Sequence, residues 1–308
     1  MSRIKLAIVG LGKIARDQHI PACTANGDFE LVAVASPHDR LDGVQSFPSI
    51  AELLEAVPAV TAVALCTPPQ VRYETARYAL ERGRHVLLEK PPGVTMGEIQ
   101  DLAELALSRD VALFAAWHSR HAPAVEPARA WLEHRRLRSV KITWKEDVRV
   151  WHPGQRWIWQ PGGLGVFDPG INALSILTRI IPGIYRLCTA DLSYPANCDT
   201  PIAANLLLVG PQAVPTTMEL DFLSEGAPSW DIVVETDGGR LHLSQGGHQL
   251  HVDDQLLATP DGTEYASVYA HFADLVRERR LDVDIAPLQL VADAFLSGRR
   301  IPVAAFVG

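Results

Sequence analysis

The beginning of this chain constrains its fold more than any other feature. Residues 4–9 are an apolar, β-branched run, and G-L-G-K-I-A follows directly at 10–15. That is a G-x-G-x-x-A turn in the setting where such a turn carries weight, behind a buried strand and ahead of a helical pattern. Gly10 permits a tight turn, Gly12 lets the backbone approach a pyrophosphate, and Ala15 lets helix and strand pack closely. Lys13 and Ile14 open the helix, whose unpaired N–H groups favour an anion. An ordinary strand–helix turn is the plain alternative, and the pattern that follows favours dinucleotide binding.

Further strand-like runs at 31–35, 62–66, 85–88 and 112–116 alternate with helical patterns near 14–25, 50–56, 70–81 and 96–108. Such alternation is the mark of a parallel sheet built from βαβ units. Prolines follow the third and fourth strands and stiffen both exits, at the carboxyl edge where open α/β sheets bind ligands. Thr67, Pro68, Glu89 and Lys90 therefore join the glycine-loop residues as expected cofactor contacts. An acidic residue closing the second strand would hold a ribose 2′-hydroxyl and reject a 2′-phosphate. Ser36 stands there instead, with His38 and Arg40 close behind, so the loop can donate hydrogen bonds and positive charge to phosphate. The reading leans to NADP, with NAD also accepted.

After about residue 119 the texture changes. A helix at 123–134 leads to a strand at 139–146, a loop rich in Trp, Pro and Gly, and a helix at 169–180. Alternating runs follow at 187–194, 203–209, 216–222, 230–236, 240–244 and 249–252, then helical segments near 265–279 and 286–297. The expected fold class is α/β: an N-terminal Rossmann parallel sheet over 1–120, and a C-terminal α+β domain over 121–308 with a large, mainly antiparallel sheet. The final helix is expected to pack back toward the Rossmann domain.

Composition narrows the partners. At 308 residues, 47% hydrophobic and 21% charged, the chain is globular rather than disordered. A net charge of -8 without a Lys/Arg run gives nucleic acid no footing. Cys23, Cys66, Cys188 and Cys198 are scattered without a C-x-x-C pair, which speaks for a reduced, cytoplasmic protein without a metal site. No run approaches the roughly 20 apolar residues of a membrane span, and the apolar start is too short for a signal peptide.

Three segments look able to do chemistry. Pro91 biases Lys90 to extended geometry, which aims its ammonium over the cleft. Beside a cationic nicotinamide its charged form is disfavoured, and it can hydrogen-bond a reacting hydroxyl; a surface strand end is the alternative. Asp168 and Asn172 lie four residues apart at a helix start, close to one face. Asp168 also reads as the N-cap of that helix, with Pro169 at its first position. Between these segments Trp144, Trp151, Trp157 and Trp159 are interleaved with Glu146, His152 and Arg156. Indoles stack on the C–H faces of sugars while charged groups read hydroxyls, and a domain-interface core would show the same aromatics.

Together G-L-G-K-I-A, E-K-P-P at 89–92 and G-G-L-G-V-F-D-P-G-I-N at 162–172 resemble the glucose–fructose oxidoreductase / inositol dehydrogenase / MocA family. The resemblance runs over essentially the whole chain. Within the family, K-I-A-R-D-Q-H at 13–19, W-H-S-R at 117–120, W-K-E-D-V at 144–148 and W-H-P-G-Q at 151–155 are similar to bacterial aldose 1-dehydrogenases acting on L-arabinose and D-galactose. It implies NAD(P)-dependent oxidation of a monosaccharide C1 hydroxyl to the lactone. Lys90, Asp168 and Asn172 are thereby implicated in catalysis. His118, Glu146, Trp151 and Trp230 join Asp168 and Asn172 as implied sugar contacts. Most of the wider family has His where this chain has Asn172, which moves proton acceptance toward Asp168 or Lys90. Arabinose-type relatives carry a basic residue where this chain has Pro37, and relatives commonly pair a sheet face of the second domain into a homodimer. A cofactor- or sugar-sensing regulatory protein and an NAD-dependent glycosidase are the competing readings for such a chain.

Overall fold

The computed structural model describes residues 2–307. They gather into two compact units. The first runs to His118 and resumes over Thr263–Ile285; the second comprises Ser119–Gly262 and the chain from Ala286 onward.

In the first unit β1 (Ile4–Val9) leads through the glycine loop into a π turn, Ala15–His19, that continues as α1 (Ile20–Ala25). Pro21 accounts for the wider turn. It has no N–H to give the preceding turn, and its ring crowds the carbonyl four residues back. There follow β2 (Phe29–Ala35), β3 (Gln45–Phe47), α2 (Ile50–Ala56), β4 (Ala62–Leu65), α3 (Arg72–Glu81), β5 (His85–Glu89), α4 (Met96–Ser108) and β6 (Leu113–Ala116). Caps set two helix starts: the Ser49 hydroxyl accepts the Glu52 N–H, and Thr95 and Glu98 form a reciprocal capping box.

The second unit contains α5 (Val125–Leu132), β7 (Leu137–Lys145), α6 (Val148–Trp151), α7 (Phe167–Ile180), β8 (Arg186–Pro195), β9 (Ala203–Val209) and β10 (Pro215–Asp221). It continues with β11 (Ser229–Thr236), β12 (Gly239–Ser244), β13 (Gln249–Val252) and β14 (Gln255–Leu257). The chain then returns to the first unit as α8 (Glu264–Glu278) and β15 (Leu281–Asp282), and ends in the second as α9 (Ala286–Ser297) and β16 (Arg299–Val303).

The first sheet has the order β15-β6-β5-β4-β1-β2-β3, and its pairings are parallel. Alternate residues of β1 enter different cores. Leu6 and Ile8 join Tyr269 and Phe272 of α8, while Ala7 and Val9 join Leu53, Leu80 and Leu102 of α2, α3 and α4. Helices thus cover both faces, as a buried parallel sheet requires. The chain winds outward in opposite directions from β1, so the loops after β1 and β4 diverge at a topological switch point, the usual ligand cleft of such sheets. The second sheet runs β14-β13-β12-β11-β7-β10-β9-β8-β16 and is antiparallel except at β7–β10 and β8–β16. Val140, Ile142 and Trp144 alternate into its buried face, against which α7 packs.

Helix α8 belongs to the first unit, where its stripe of Tyr265, Val268, Tyr269, Phe272 and Leu275 is buried; the final helix α9 belongs to the second, with Phe295 against Phe167 of α7. The tryptophan-rich loop also contains a short helix, α6, begun by Asp147, whose carboxylate accepts the Arg149 N–H.

Gly165 shows how tightly the entry to α7 is built. Its φ is +54°, and a Cβ there would collide with the Pro201 carbonyl oxygen and the Thr200 side chain. Gly165→Ala should destabilise the protein by about 2 kcal/mol or more, from a left-handed backbone and overpacking combined, seen as a lowered midpoint in urea unfolding.

Candidate active site

The first unit builds a cradle from the exits of β1 and β4. Gly10 has φ +91°, and a Cβ on it would stand 2.9 Å from the Cys66 carbonyl carbon and 3.0 Å from the Thr67 nitrogen. Only glycine lets these loops lie together. At Gly12 an added Cβ would meet no protein atom within 4 Å. The need for glycine there comes from outside the protein, as a pyrophosphate approaching the helix start of Lys13 and Ile14 would impose it. Beside them the Thr67 hydroxyl oxygen is buried with no hydrogen-bond partner. A buried unpaired hydroxyl costs roughly 1–3 kcal/mol, so this atom also fits a missing ligand. Pro68, next along, is exposed. These residues suit a dinucleotide.

After β2, Ser36 is buried and its hydroxyl accepts the Asp39 N–H at 3.3 Å. The Arg40 guanidinium donates to the carbonyls of Ser36 (3.1 Å) and Asp39 (2.8 Å), while Arg16 lies 3.6 Å from the Asp39 carboxylate. One guanidinium, Arg16, thus meets the Asp39 carboxylate while the other, Arg40, holds the loop backbone, with His38 exposed beside them.

Lys90 is half-buried and leaves β5 through a cis peptide to Pro91. Two buried side chains fix this exit. Arg72, 2% exposed, donates to the carbonyls of Thr67, Glu89 and Pro91 and so ties the ends of β4 and β5 together. Glu89 does not turn its carboxylate outward as a cofactor contact would. Oε1 accepts from His19 Nε2 (2.9 Å) and from the Tyr265 hydroxyl (2.6 Å), and Oε2 accepts the Lys90 N–H (2.9 Å). The other His19 nitrogen, Nδ1, is 2.9 Å from the Tyr269 hydroxyl. His118, expected at the sugar, has Nδ1 2.5 Å from Glu264 and its ring stacked on Tyr265.

In the second unit Glu146 directly follows β7 and is buried. Its Oε1 lies 2.8 Å from His152 Nε2, and its Oε2 accepts the Trp230 indole N–H at 2.7 Å. Trp230 faces Trp144 across the β11–β7 ladder, and Trp151 meets it edge-on at 4.8 Å. His152 Nδ1 lies 3.7 Å from Asp168 Oδ2. Asp168 is not the cap of α7: Val166 holds that position, and Asp168 is buried inside the first turn, where the helix dipole favours a carboxylate. Asn172 follows one turn on and is half-buried. The structure therefore brings Glu146, Trp151, Trp230 and Asp168 into one connected group through His152. Trp159 instead packs against Phe222 and Phe306. His19, Arg72, Glu264 and Tyr265 escaped the sequence reading. Only His19 left a trace, inside the K-I-A-R-D-Q-H run. Among the described residues no cluster of three or more His, Cys, Asp or Glu could hold a metal, and no helix is long and apolar enough to cross a membrane.

Burial opposes charge on both His19 and Glu89. At His19 the neighbouring Cys66 and then the Glu89 hydrogen bond outweigh it; at Glu89 the His19 hydrogen bond and charge do so, with His118 and Tyr265 adding. Glu89 is held down at about 2 and His19 is raised to about 10. Burial also pushes Tyr265 and Tyr269 well up, so both remain protonated. The sign of the stability effect follows. The His19 contribution is complete below 6.5 and is lost as pH rises through about 10; the Glu89 contribution is complete above 4.5 and is lost as pH falls through about 2. Denaturant unfolding of His19→Gln against the parent should show a gap of about 3–5 kcal/mol between those ordinary values, shrinking steadily as pH rises above neutrality.

Comparison with known proteins agrees with this architecture. A family model described as the oxidoreductase family with an NAD-binding Rossmann fold matches residues 4–116. The galactose 1-dehydrogenase of Pseudomonas fluorescens is 47% identical over 307 residues, 99% of either chain. The crystal structure of D-galactose-1-dehydrogenase from Rhizobium etli superposes with a TM-score of 0.95 at 52% identity, covering 100% of this chain and 99% of that one. The 3-ketoreductase KijD10 of Actinomadura kijaniata shares the fold at 21% identity, with a TM-score of 0.84 over 98% of this chain and 100% of its own. This chain is an oxidoreductase and belongs to the glucose–fructose oxidoreductase / inositol dehydrogenase / MocA family.

Proposed function

We propose that this protein is an NAD(P)-dependent aldose 1-dehydrogenase that oxidises D-galactose, with L-arabinose as a second substrate, to the corresponding lactone. The observation that carries the reading is the end-to-end likeness to two galactose 1-dehydrogenases at 47% and 52% identity. The indoles of Trp151 and Trp230, set beside the polar group of Glu146, His152 and Asp168, support a polyhydroxylated ring as the ligand. The two sugars share their configuration at C2 to C4 and differ by the hydroxymethyl group at C5. One such group is worth only about 1–3 kcal/mol of discrimination, so both are turned over.

A nicotinamide bound in the cradle would supply the hydride acceptor for C1. Gly10, Gly12, Lys13, Ile14, Ser36, His38, Arg40, Thr67, Pro68 and Lys90 are the residues assigned to hold the dinucleotide, with Glu89 acting through Lys90. Lys90 and Asp168 hydrogen-bond the C1 hydroxyl and remove its proton, and Asn172 fixes the substrate oxygen. His118, tethered by Glu264, reads a further hydroxyl. The guanidinium groups of Arg16 and Arg40, set around the single carboxylate of Asp39 after β2, support a lean to NADP.

Lys90→Ala and Asp168→Asn should each lower kcat by about 10²-fold or more, followed by reduced-nicotinamide absorbance with D-galactose; near-normal turnover in either variant would remove that residue from the chemistry. Equal yields of lactone and reduced cofactor are expected, which neither a sensor nor a glycosidase gives. Arg40→Ala should reduce the NADP-over-NAD ratio of kcat/KM by about tenfold, the loss of one charge-assisted phosphate contact, and an unchanged ratio would remove Arg40 from cofactor choice.

A further inference from the structure

We propose that His152 takes over the substrate proton from Asp168, with Glu146 setting the state of its ring. The proposal rests on the reading of Asp168 as an acceptor of the C1 hydroxyl proton and adds what that buried carboxylate does next.

The geometry is a row of carboxylate, imidazole and carboxylate inside the second unit. Glu146 can only accept hydrogen bonds, and its 2.8 Å contact places the ring proton of neutral His152 on Nε2. Nδ1 then carries the lone pair, on the side of Asp168, 3.7 Å from Oδ2. That gap exceeds a hydrogen bond but closes with a side-chain shift of about 1 Å, and apo sites are commonly this loose. Glu146 cannot swing away freely, because the Trp230 indole N–H holds its other oxygen. The Glu146 and Asp168 side chains are 3% and 4% exposed and His152 is 15% exposed, with Nδ1 itself buried, so a proton passing from Asp168 to the imidazole is shielded from water.

The balance is simple. With a nicotinamide bound to accept the C1 hydride, the C1 hydroxyl proton would pass to Asp168 Oδ2 as the C1–O bond becomes the lactone carbonyl. Protonated Asp168 gives that proton to His152 Nδ1. The resulting imidazolium is stabilised by the Glu146 carboxylate and holds the proton until it is lost after the lactone departs, leaving Asp168 ionised for the next turnover. His152 touches no reacting atom and acts through Asp168, while Glu146 is a positioning residue for His152. The arrangement has the logic of a nucleophile–histidine–carboxylate triad with a carboxylate as first acceptor.

The test uses the full-length enzyme with D-galactose and NADP. His152→Ala should lower kcat about 10- to 100-fold, at or below the small end of what a positioned acid–base group contributes, with KM for the sugar within about threefold. Added imidazole should restore kcat saturably. His152→Gln keeps an amide donor toward Glu146 but cannot carry a proton, so it should fold, bind sugar and remain as slow. Full kcat in His152→Gln would overturn the relay, and so would a loss in His152→Ala confined to KM or untouched by imidazole. Asp168→Asn run in parallel separates the two claims. If it keeps normal turnover the reading of Asp168 fails, whereas a slow Asp168→Asn beside a normal His152→Gln sinks the relay alone.

Discussion

The His19–Glu89 ion pair organises the first unit. It joins the helix after the glycine loop, the end of β5 and, through Tyr265 and Tyr269, helix α8. A buried pair of this kind is weak evidence for net stability, since matched apolar residues would serve as well; removing one partner is costly because the other stays charged and buried. What it supplies here is register. The carboxylate that accepts from His19 also accepts the Lys90 N–H, so the strand that presents Lys90 is fixed from beneath. Arg72 does the same from the side through three carbonyl oxygens.

The second unit applies a similar device with different chemistry. Glu146 is immobilised by an indole and an imidazole, and a short helix sets Trp151 and His152 one after the other. The carboxylate that looked in sequence like a sugar ligand has both oxygens engaged within the unit. Its neighbour His152, noted in sequence only among the polar residues of the tryptophan segment, connects it to Asp168.

Much of the fold was legible because local physics decided it. Helices α2 and α4 match the expected 50–56 and 96–108, where Ser49 and Thr95 cap an amphipathic run. Strands β9 and β13 match 203–209 and 249–252; β13 alternates polar and apolar residues, and β9 is an apolar run whose burial alternates. The placement of α8 was not legible, since an apolar stripe shows that a helix buries a face but not which sheet receives it. The site divides the same way. The glycine loop announces itself through short-range spacing. His19, Arg72 and His152 belong to residue types that are ordinarily exposed or ambiguous, and their partners lie 70, 17 and 6 residues away along the chain.

The discontinuous first unit has a consequence for biosynthesis. Its sheet acquires β15, and its buried pair acquires the tyrosine hydroxyls, only from a segment made after the whole span Ser119–Gly262. A nascent chain ending at His118 would carry Glu89 and His19 without the α8 side of their enclosure. Chains generally fold domain by domain from the amino terminus during synthesis, and here that order is interrupted. The first unit can close only after Ser119–Gly262 has been made, and the second only when α9 and β16 follow, so a product truncated before Thr263 lacks a closing segment of each.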